Sequence, residues 1–368
     1  MKFIKSFLLL IFSVALLTSC VGTVELNTVY LEVGDDFQVA NDTHESGTTF
    51  IVRNGVHNEQ QVYNPKFGNI WIGEPGAIMD GKDSTLNAFH GVANFVTIEG
   101  IKIRNYVDNG IFFNRGQNIN LSGLFISDTG SGDGNLNGAI RLYQVRDVRI
   151  TDSRITRVSA GALLTRCRGP ILIHNNGGVN IGRNFVQLDK CIGPDIEISN
   201  NRMERRGTYL RAETEDVVDW ISVYQSSGTR SNPIKILNNR ALGHGNDPTG
   251  SFIMLGDEGG KHQLAEGNIG INPGQVGIGL SGGDNIAVKR NYLFTTSWEH
   301  SNVAIYSANY TRSDGCGSHL IKENRSYWYS STETQNNIWH DRSCGTEILN
   351  NIYPDFSLAD LAWTQLDF

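Results

Sequence analysis

The chain has 368 residues, and its 31 Lys and Arg against 38 Asp and Glu give a formal net charge of −7. An acidic exterior argues against nucleic acid as a partner, although basic residues gathered in one groove could still bind a polyanionic sugar. With 41 Gly, 8 Pro and no long helical pattern, the sequence favours many strands joined by tight turns.

Residues 1–19 are predicted to be a signal peptide. A basic start over residues 1–5 precedes an apolar stretch, residues 7–17, that is too short to span a bilayer. The Leu-Thr-Ser that follows, ending at Cys20, resembles the bacterial lipobox, which implies that Cys20 becomes the acylated first residue. We therefore expect an exported bacterial lipoprotein, anchored to the outer membrane through its N-terminal lipid only. Residues 20–46 would form a tether and an N-terminal cap.

A short phrase of alternating apolar residues that ends in Asn or a substitute recurs ten times, at spacings of 23 to 38 residues. Its best copies begin at Ile196, Ile234 and Ile286. A repeat of this length with period-2 alternation is typical of a rung that must stack on its neighbours to bury its apolar face. The sequence therefore predicts an all-β, right-handed parallel β-helix of about ten rungs over residues 47–352, with residues 353–368 as a C-terminal cap segment.

The phrases also predict an internal ladder of asparagines. Asn can cap backbone groups at a sharp turn because its amide both donates and accepts hydrogen bonds. The expected members are Asn176, Asn201, Asn239, Asn268, Asn291, Asn324 and Asn351.

Four cysteines follow Cys20, and an exported chain permits disulfides. Cys316 and Cys344 precede successive rungs at similar distances, so in-register stacking predicts a bridge between them. Cys167 and Cys191 fall one residue out of step, and the sequence leaves their pairing open.

One rung carries a long insertion. The spacing of 38 residues from Ile196 to Ile234 exceeds that of the neighbouring rungs, so residues 205–219 must form an extra loop beside a strand at residues 220–225. Long loops on a rigid scaffold are where function concentrates. In that strand Ser222 and Tyr224 should face outward.

Stacking predicts that Arg166, Asp189 and Tyr224 form one exposed row, because rungs lie about 4.8 Å apart. Arg166 in this row and Arg211 in the long loop are basic, and they suggest a groove for an acidic polysaccharide. We expect Arg166, Asp189, Arg211 and Ser222 to bind substrate.

The turn at residues 256–261 should bring Lys261 to the same edge as Tyr224, one rung away. An ammonium close to the phenol would lower the pKa of Tyr224, so Tyr224 could act as a base while Lys261 donates a proton. The competing interpretation is that Tyr224 is a stacking platform for a sugar and Lys261 a solvated turn residue.

Residues 219–229, residues 256–261 and residues 273–279, with the following Gly282-Gly283 pair, resemble the β-helical alginate lyases of polysaccharide lyase family 31. The resemblance extends over residues 47–345. In that family a Tyr and a Lys at the separation of Tyr224 and Lys261 are the proposed catalytic pair. The Tyr takes the C5 proton and the Lys protonates the departing O4.

The resemblance also implies a divalent cation under the substrate carboxylate. Asp219 and Asp257 offer oxygen ligands suited to a hard cation. The expected enzyme is a monomer that cleaves alginate, of the polymannuronate type, by β-elimination.

Three alternatives remain open. An inverting glycoside hydrolase of polygalacturonase type could use Asp216 with Asp219, or Asp257 with Glu258. A mannuronan C5-epimerase would share the proton abstraction and leave the polymer intact. A non-catalytic glycan-binding solenoid would use the same surface for adhesion.

Overall fold

Successive turns of the chain pair in parallel to form a right-handed parallel β-helix of about 12 turns. The structure, a computed structural model, describes residues 27–130, 137–205, 218–244, 248–310 and 315–354. The predicted signal peptide, Cys20, Arg211 and most of the C-terminal segment lie outside these residues. The observed number of turns exceeds the predicted ten, because strands as early as Thr28–Leu31 pair in parallel without carrying the Asn phrase.

The larger sheet has 23 strands and bends to form two faces of the solenoid. The first face consists of Val62–Tyr63, Gly138–Tyr143, Ala162–Thr165, Asn184–Asp189, Asp219–Tyr224, Ser251–Asp257, Val276–Leu280, Val303–Ser307 and Ile338–His340. The second face consists of Thr28–Leu31, Thr49–Val52, Ile70–Gly73, Val145–Thr151, Arg168–His174, Ile196–Ser199, Ile234–Leu237, Lys261–Glu266, Gly283–Lys289, Cys316–Gly317, Leu320–Lys322 and Glu347–Leu349. Two long strands, Asn87–Glu99 and Asn109–Ser122, run through both faces.

The third face is a separate sheet of 11 strands. Its members are Gly55–Asn58, Ala77–Asp80, Lys102–Arg104, Phe125–Ser127, Arg154–Val158, Gly177–Ile181, Arg202–Glu204, Arg240–Leu242, Ile269–Ile271, Tyr292–Thr295 and Arg325–Trp328. Inward side chains of the three faces form one continuous apolar core along the solenoid.

A short helix, Phe37–Thr43, packs on the first turns. It begins after Asp36, whose carboxylate accepts a hydrogen bond from the backbone N–H of Val39 at 2.9 Å. Phe37 is fully buried, with its ring centroid 6.1 Å from that of Trp71. The helix therefore covers apolar surface that the terminal turns would otherwise expose. In the part of the chain that the structure describes, no helix has the length and apolar character to cross a membrane.

The predicted asparagine ladder is present. The Nδ2 of Asn201 donates to the Oδ1 of Asn239 at 2.9 Å and to the carbonyl of Ile173 at 3.0 Å, and its backbone N–H donates to the same Oδ1 at 3.0 Å. The same three bonds recur at the bend between the second and third faces, at Asn176, Asn239, Asn268, Asn291 and Asn324, and the ladder ends at Asn351. Each amide thus satisfies backbone groups that a buried bend would leave unpaired.

The predicted disulfide between Cys316 and Cys344 is also present, with Cα atoms 4.7 Å apart. Cys167 and Cys191 are buried thiols, and the Sγ of Cys191 lies 3.3 Å from the carbonyl oxygen of Leu164. They are not out of step as predicted, because the residues that follow them pair directly across adjacent rungs.

The ladder generates a stability prediction. Asn239→Ala leaves the buried backbone N–H and Nδ2 of Asn201 without their acceptor, so we expect the free energy of unfolding to fall by about 3 kcal/mol. Urea denaturation followed by circular dichroism measures it. Asn238→Gly is the matched control. It removes the exposed amide of the adjacent asparagine, and glycine readily adopts the φ of 55° found at this position. Equal stability of the two variants would contradict the structural role of the ladder.

Candidate active site

The strand Asp219–Tyr224 supplies the centre of a cleft on the first face. Alternation turns Ile221 and Val223 into the core, where both are fully buried, and leaves Ser222 and Tyr224 outward. Tyr224 is half-buried, whereas the cleft surroundings leave Ser222 only 2% exposed. The predicted directions of these side chains are confirmed.

Tyr224 lies between two carboxylates on adjacent rungs. In the parallel register it pairs with Asp189 on one side and with Asp257 on the other. A register shift after Ser222 places Asp257, the last residue of its strand, opposite the phenol.

The prediction that Arg166 belongs to this row is wrong by one position. Thr165 is the residue that pairs with Asp189. Arg166 follows the strand with φ of 54°, in the left-handed turn, and its backbone N–H donates to the carbonyl of Asp189 at 2.7 Å. Its guanidinium Nη1 lies 3.0 Å from the hydroxyl of Tyr143, which holds it beside the row.

The cleft has a volume of about 400 Å³. It brings together five of the residues proposed from the sequence, namely Asp189, Asp219, Ser222, Tyr224 and Asp257. It also contains residues that sequence reasoning did not propose as ligands, namely Thr165, Arg183, Asn184 and Gln187. The strand register could have indicated one of these, Asn184. It lies five residues before Asp189, just as Asp219 lies five residues before Tyr224, and Asn184 pairs with Asp219.

Two lysines flank the cleft differently from the prediction. The cation beside the phenol is Lys190, whose Nζ lies 5.8 Å from the ring centroid of Tyr224 and 3.9 Å from the Oδ1 of Asp189. Lys261 is exposed on the next rung, where its backbone N–H donates to the Oγ of Ser227 at 3.0 Å. Lys190 occupies the turn position equivalent to Arg166, so its approach to Tyr224 follows from the register.

The charges around Tyr224 reverse the expected direction of its pKa. Burial raises the pKa of Tyr224, and the negative charges of Glu258, Asp257 and Asp189 raise it further. The pKa of Asp257 is raised as well, mainly by burial and then by Glu258, while a hydrogen bond from Ser281 opposes the shift. The expectation that the pKa of the phenol is lowered is therefore wrong, because burial and then three carboxylates from two rungs raise it.

The other carboxylates of the cleft are held in different ways. The Oδ1 of Asp189 is buried and accepts no hydrogen bond. The Oδ1 of Asp219 accepts hydrogen bonds from the backbone N–H of Ser251, at 3.2 Å, and from its hydroxyl. The Nζ of Lys190 lies 3.9 Å from the Oδ1 of Asp189, which is too long for a hydrogen bond, so this oxygen could accept one from a ligand hydroxyl.

Asp219 and Asp257, the expected cation ligands, line the same cleft. Within the described ranges, however, no group of three or more His, Cys, Asp and Glu side chains is arranged to hold a metal ion. Ser251 already engages Asp219. The donor set does not fit a cation site, so no catalytic step is assigned to a metal, and the cation stays a prediction.

No family model and no curated protein matches the sequence. Among solved structures, the chain is similar to a hyperthermoactive exopolygalacturonase from Thermotoga maritima, with 10% identity, a TM-score of 0.59, and coverage of 89% of this chain and 91% of that one. It is also similar to the catalytic domain of an α-1,3-glucanase in complex with nigerose, with 12% identity, a TM-score of 0.53, and coverage of 89% and 69%. An alginate lyase from Paenibacillus sp. str. FPU-7 has 10% identity, a TM-score of 0.49, and coverage of 89% and 99%. At these identities the first two similarities show a shared β-helix fold.

The surroundings of Tyr224 generate a test. Glu258→Gln should lower the pKa of Tyr224 toward the usual value of about 10, because it removes one of the charges that raise it. NMR of tyrosine labelled at the ring carbon that bears the hydroxyl, with Tyr224→Phe for assignment, measures the titration. Glu99→Gln removes an exposed charge elsewhere and should leave it unchanged. A phenol that titrates below the usual value in the parent protein would contradict the described electrostatics.

Proposed function

We propose that this protein is an enzyme that degrades an acidic polysaccharide, and that it cleaves alginate by β-elimination at a uronate residue. The observation that carries the proposal is the place of Tyr224, outward in an open cleft with a lysine ammonium beside its ring. The resemblance of residues 219–283 to family 31 lyases supports the same reaction. The fold is shared with an exopolygalacturonase and an α-1,3-glucanase, which supports a polysaccharide as the substrate.

In the proposed reaction the phenolate of Tyr224 removes the C5 proton of the uronate. Because the pKa of Tyr224 is raised, the phenolate becomes more populated as the pH rises, so the reaction should accelerate at alkaline pH. The electron pair forms the C4–C5 double bond as the C4–O4 bond breaks, and the departing O4 receives a proton from the ammonium of Lys261. The carboxylate beside C5 must be neutralised for that proton to become acidic. Lys190, whose Nζ lies 5.8 Å from the ring centroid of Tyr224, is the cation beside the phenol, and we assign it this role.

The proposed acid, Lys261, lies on the neighbouring rung. It pairs with Ser227, three residues after Tyr224, and its exposed side chain can extend toward the end of the strand. Lys190 lies on the opposite rung and contacts both Tyr224 and Asp189. The two ammonium groups would therefore approach a bound uronate from opposite sides.

Product analysis tests the reaction. β-Elimination creates a double bond conjugated to the carboxylate, so ultraviolet absorbance should increase when the protein acts on alginate. Tyr224→Phe and Lys261→Ala should each lower the rate by about 10² to 10⁴, the usual contribution of a general acid or base. Tyr30→Phe is the matched control, because Tyr30 is 57% exposed in the strand Thr28–Leu31 of the second face, away from the cleft. Near-normal turnover of Tyr224→Phe would overturn this mechanism.

A second function, an inverting glycoside hydrolase, is favoured by one observation. Asp189 and Asp257 lie on either side of Tyr224, with their backbones two rung spacings or about 9.6 Å apart along the solenoid, close to the upper limit for an inverting pair. Inverting hydrolases hold their two carboxyl groups about 6.5 to 9.5 Å apart. The raised pKa of Asp257 suits a general acid, with Asp189 as base. New reducing ends without ultraviolet absorbance, lost in Asp257→Asn and kept in Tyr224→Phe, would establish this reading.

We also propose that Cys20 carries a lipid that anchors the protein to the outer membrane, and that the protein is a monomer.

A further inference from the structure

The geometry points to a second sugar-binding site on the first face, formed by Tyr306, Tyr310 and Trp339, that holds the same polysaccharide chain several sugars away from Tyr224. The class of polymer rests on the proposed function, whereas the site itself rests on its own residues. It is a binding site and takes no part in the chemical step.

Three aromatic rings meet in one pocket of about 490 Å³. Tyr306 forms the floor and is only 8% exposed, while Tyr310 and Trp339 are 59% and 44% exposed. The rings of Tyr306 and Tyr310 meet edge to face, with centroids 5.6 Å apart and an interplanar angle of 77°. Exposed rings that converge on one pocket around a buried one form a binding surface rather than scattered surface residues.

The remaining polar side chains of the pocket are amides, from Gln275, Asn302 and Asn336. The Nδ2 of Asn336 donates to the backbone carbonyl of Asn302 at 3.0 Å, which fixes its orientation. An amide both donates and accepts, as neighbouring sugar hydroxyls require. The C–H face of a pyranose packs on an aromatic ring, so rings and amides together match a sugar.

This pocket differs from the catalytic cleft in its charge. The residues that line it, all within the described part of the chain, include no Asp, Glu, Lys or Arg. It would therefore recognise ring faces and hydroxyls of a uronate and leave its carboxylate in water. Binding here should depend little on salt, because screening acts on charge pairs.

The two sites lie in one row of outward positions. The parallel register runs from Ser222 through Met254 and Gly279 to Tyr306 and Trp339. Four rung spacings separate the ends of this row, about 19 Å along the solenoid. A sugar chain of several residues that lies across the strands would contact both sites at once.

Met254 and Gly279 lie in this row between the two sites. The ring of Tyr306 lies over Gly279, where an added Cβ would come within 2.7 Å of it, so only glycine fits there. The hydroxyl of Tyr306 lies 3.2 Å from the Sδ of Met254, which holds the ring down against the sheet.

Affinity electrophoresis in gels that contain alginate tests the site. Trp339→Ala and Tyr310→Ala should weaken binding to the polymer by about tenfold, or about 1.4 kcal/mol, to the same extent at low and high salt. Trp339→Phe should retain most of the binding, because it keeps a ring. Phe67→Ala is the control, since Phe67 is 58% exposed and packs on Phe95 away from this pocket. Thermal melting confirms that each variant is folded.

A ladder of alginate oligomers completes the test. The effect of Trp339→Ala should vanish for oligomers too short to reach from the cleft to the pocket. Unchanged polymer binding, or an equal loss at every oligomer length, would overturn the inference. Stronger retention by a neutral glucan than by alginate would overturn the assigned ligand class. Polymer binding that depends on Trp339, without unsaturated product, would support this site and contradict the proposed lyase reaction. Unsaturated product, with polymer binding unchanged in Trp339→Ala, would support the lyase reaction and contradict this site.

Discussion

Parallel hydrogen bonding between successive turns, in register, is the constraint on which the rest of this structure depends. It fixes a spacing of about 4.8 Å between rungs, and it aligns outward side chains in rows along the solenoid. The asparagine ladder from Asn176 to Asn351 supports the register from inside by pairing the backbone at one bend of each turn. Tyr224 lies between Asp189 and Asp257 only because three strands are held in that alignment.

Features that repeat were predictable from the sequence, and features that break the repeat were not. The ladder and the bridge between Cys316 and Cys344 follow from equivalent positions in successive turns, so counting residues located them. Arg166 was misplaced by one position because a left-handed residue ends its strand, and alternation alone does not show where a strand ends. The shift after Ser222, which brings Asp257 opposite Tyr224, is equally absent from the pattern.

The electrostatics of the site could not be predicted for a related reason. A single lysine in the next turn predicts a lowered pKa for Tyr224, but the groups that act on the phenol come from separate strands and include Glu258 beside the row. Their summed effect depends on distances that only the folded rungs define. Burial, the largest cause of the raised pKa, depends in the same way on the assembled walls of the cleft.

The first face thus combines two surfaces of different character. The cleft concentrates three aspartates, Arg183 and Tyr224, which suits proton transfer. The aromatic pocket is uncharged and suits the apolar face of a sugar. An enzyme that acts on a polyanion gains from this separation, because the pocket can hold the chain without adding to the charges around the reacting sugar.

A crystal structure of the Tyr224→Phe variant with a bound alginate oligosaccharide tests the central claim most directly. The account predicts a chain that lies across the strands of the first face, with one uronate against position 224 within reach of Lys190 and Lys261. A chain bound instead on the second face, in the depression between Arg149 and Lys235, would contradict it.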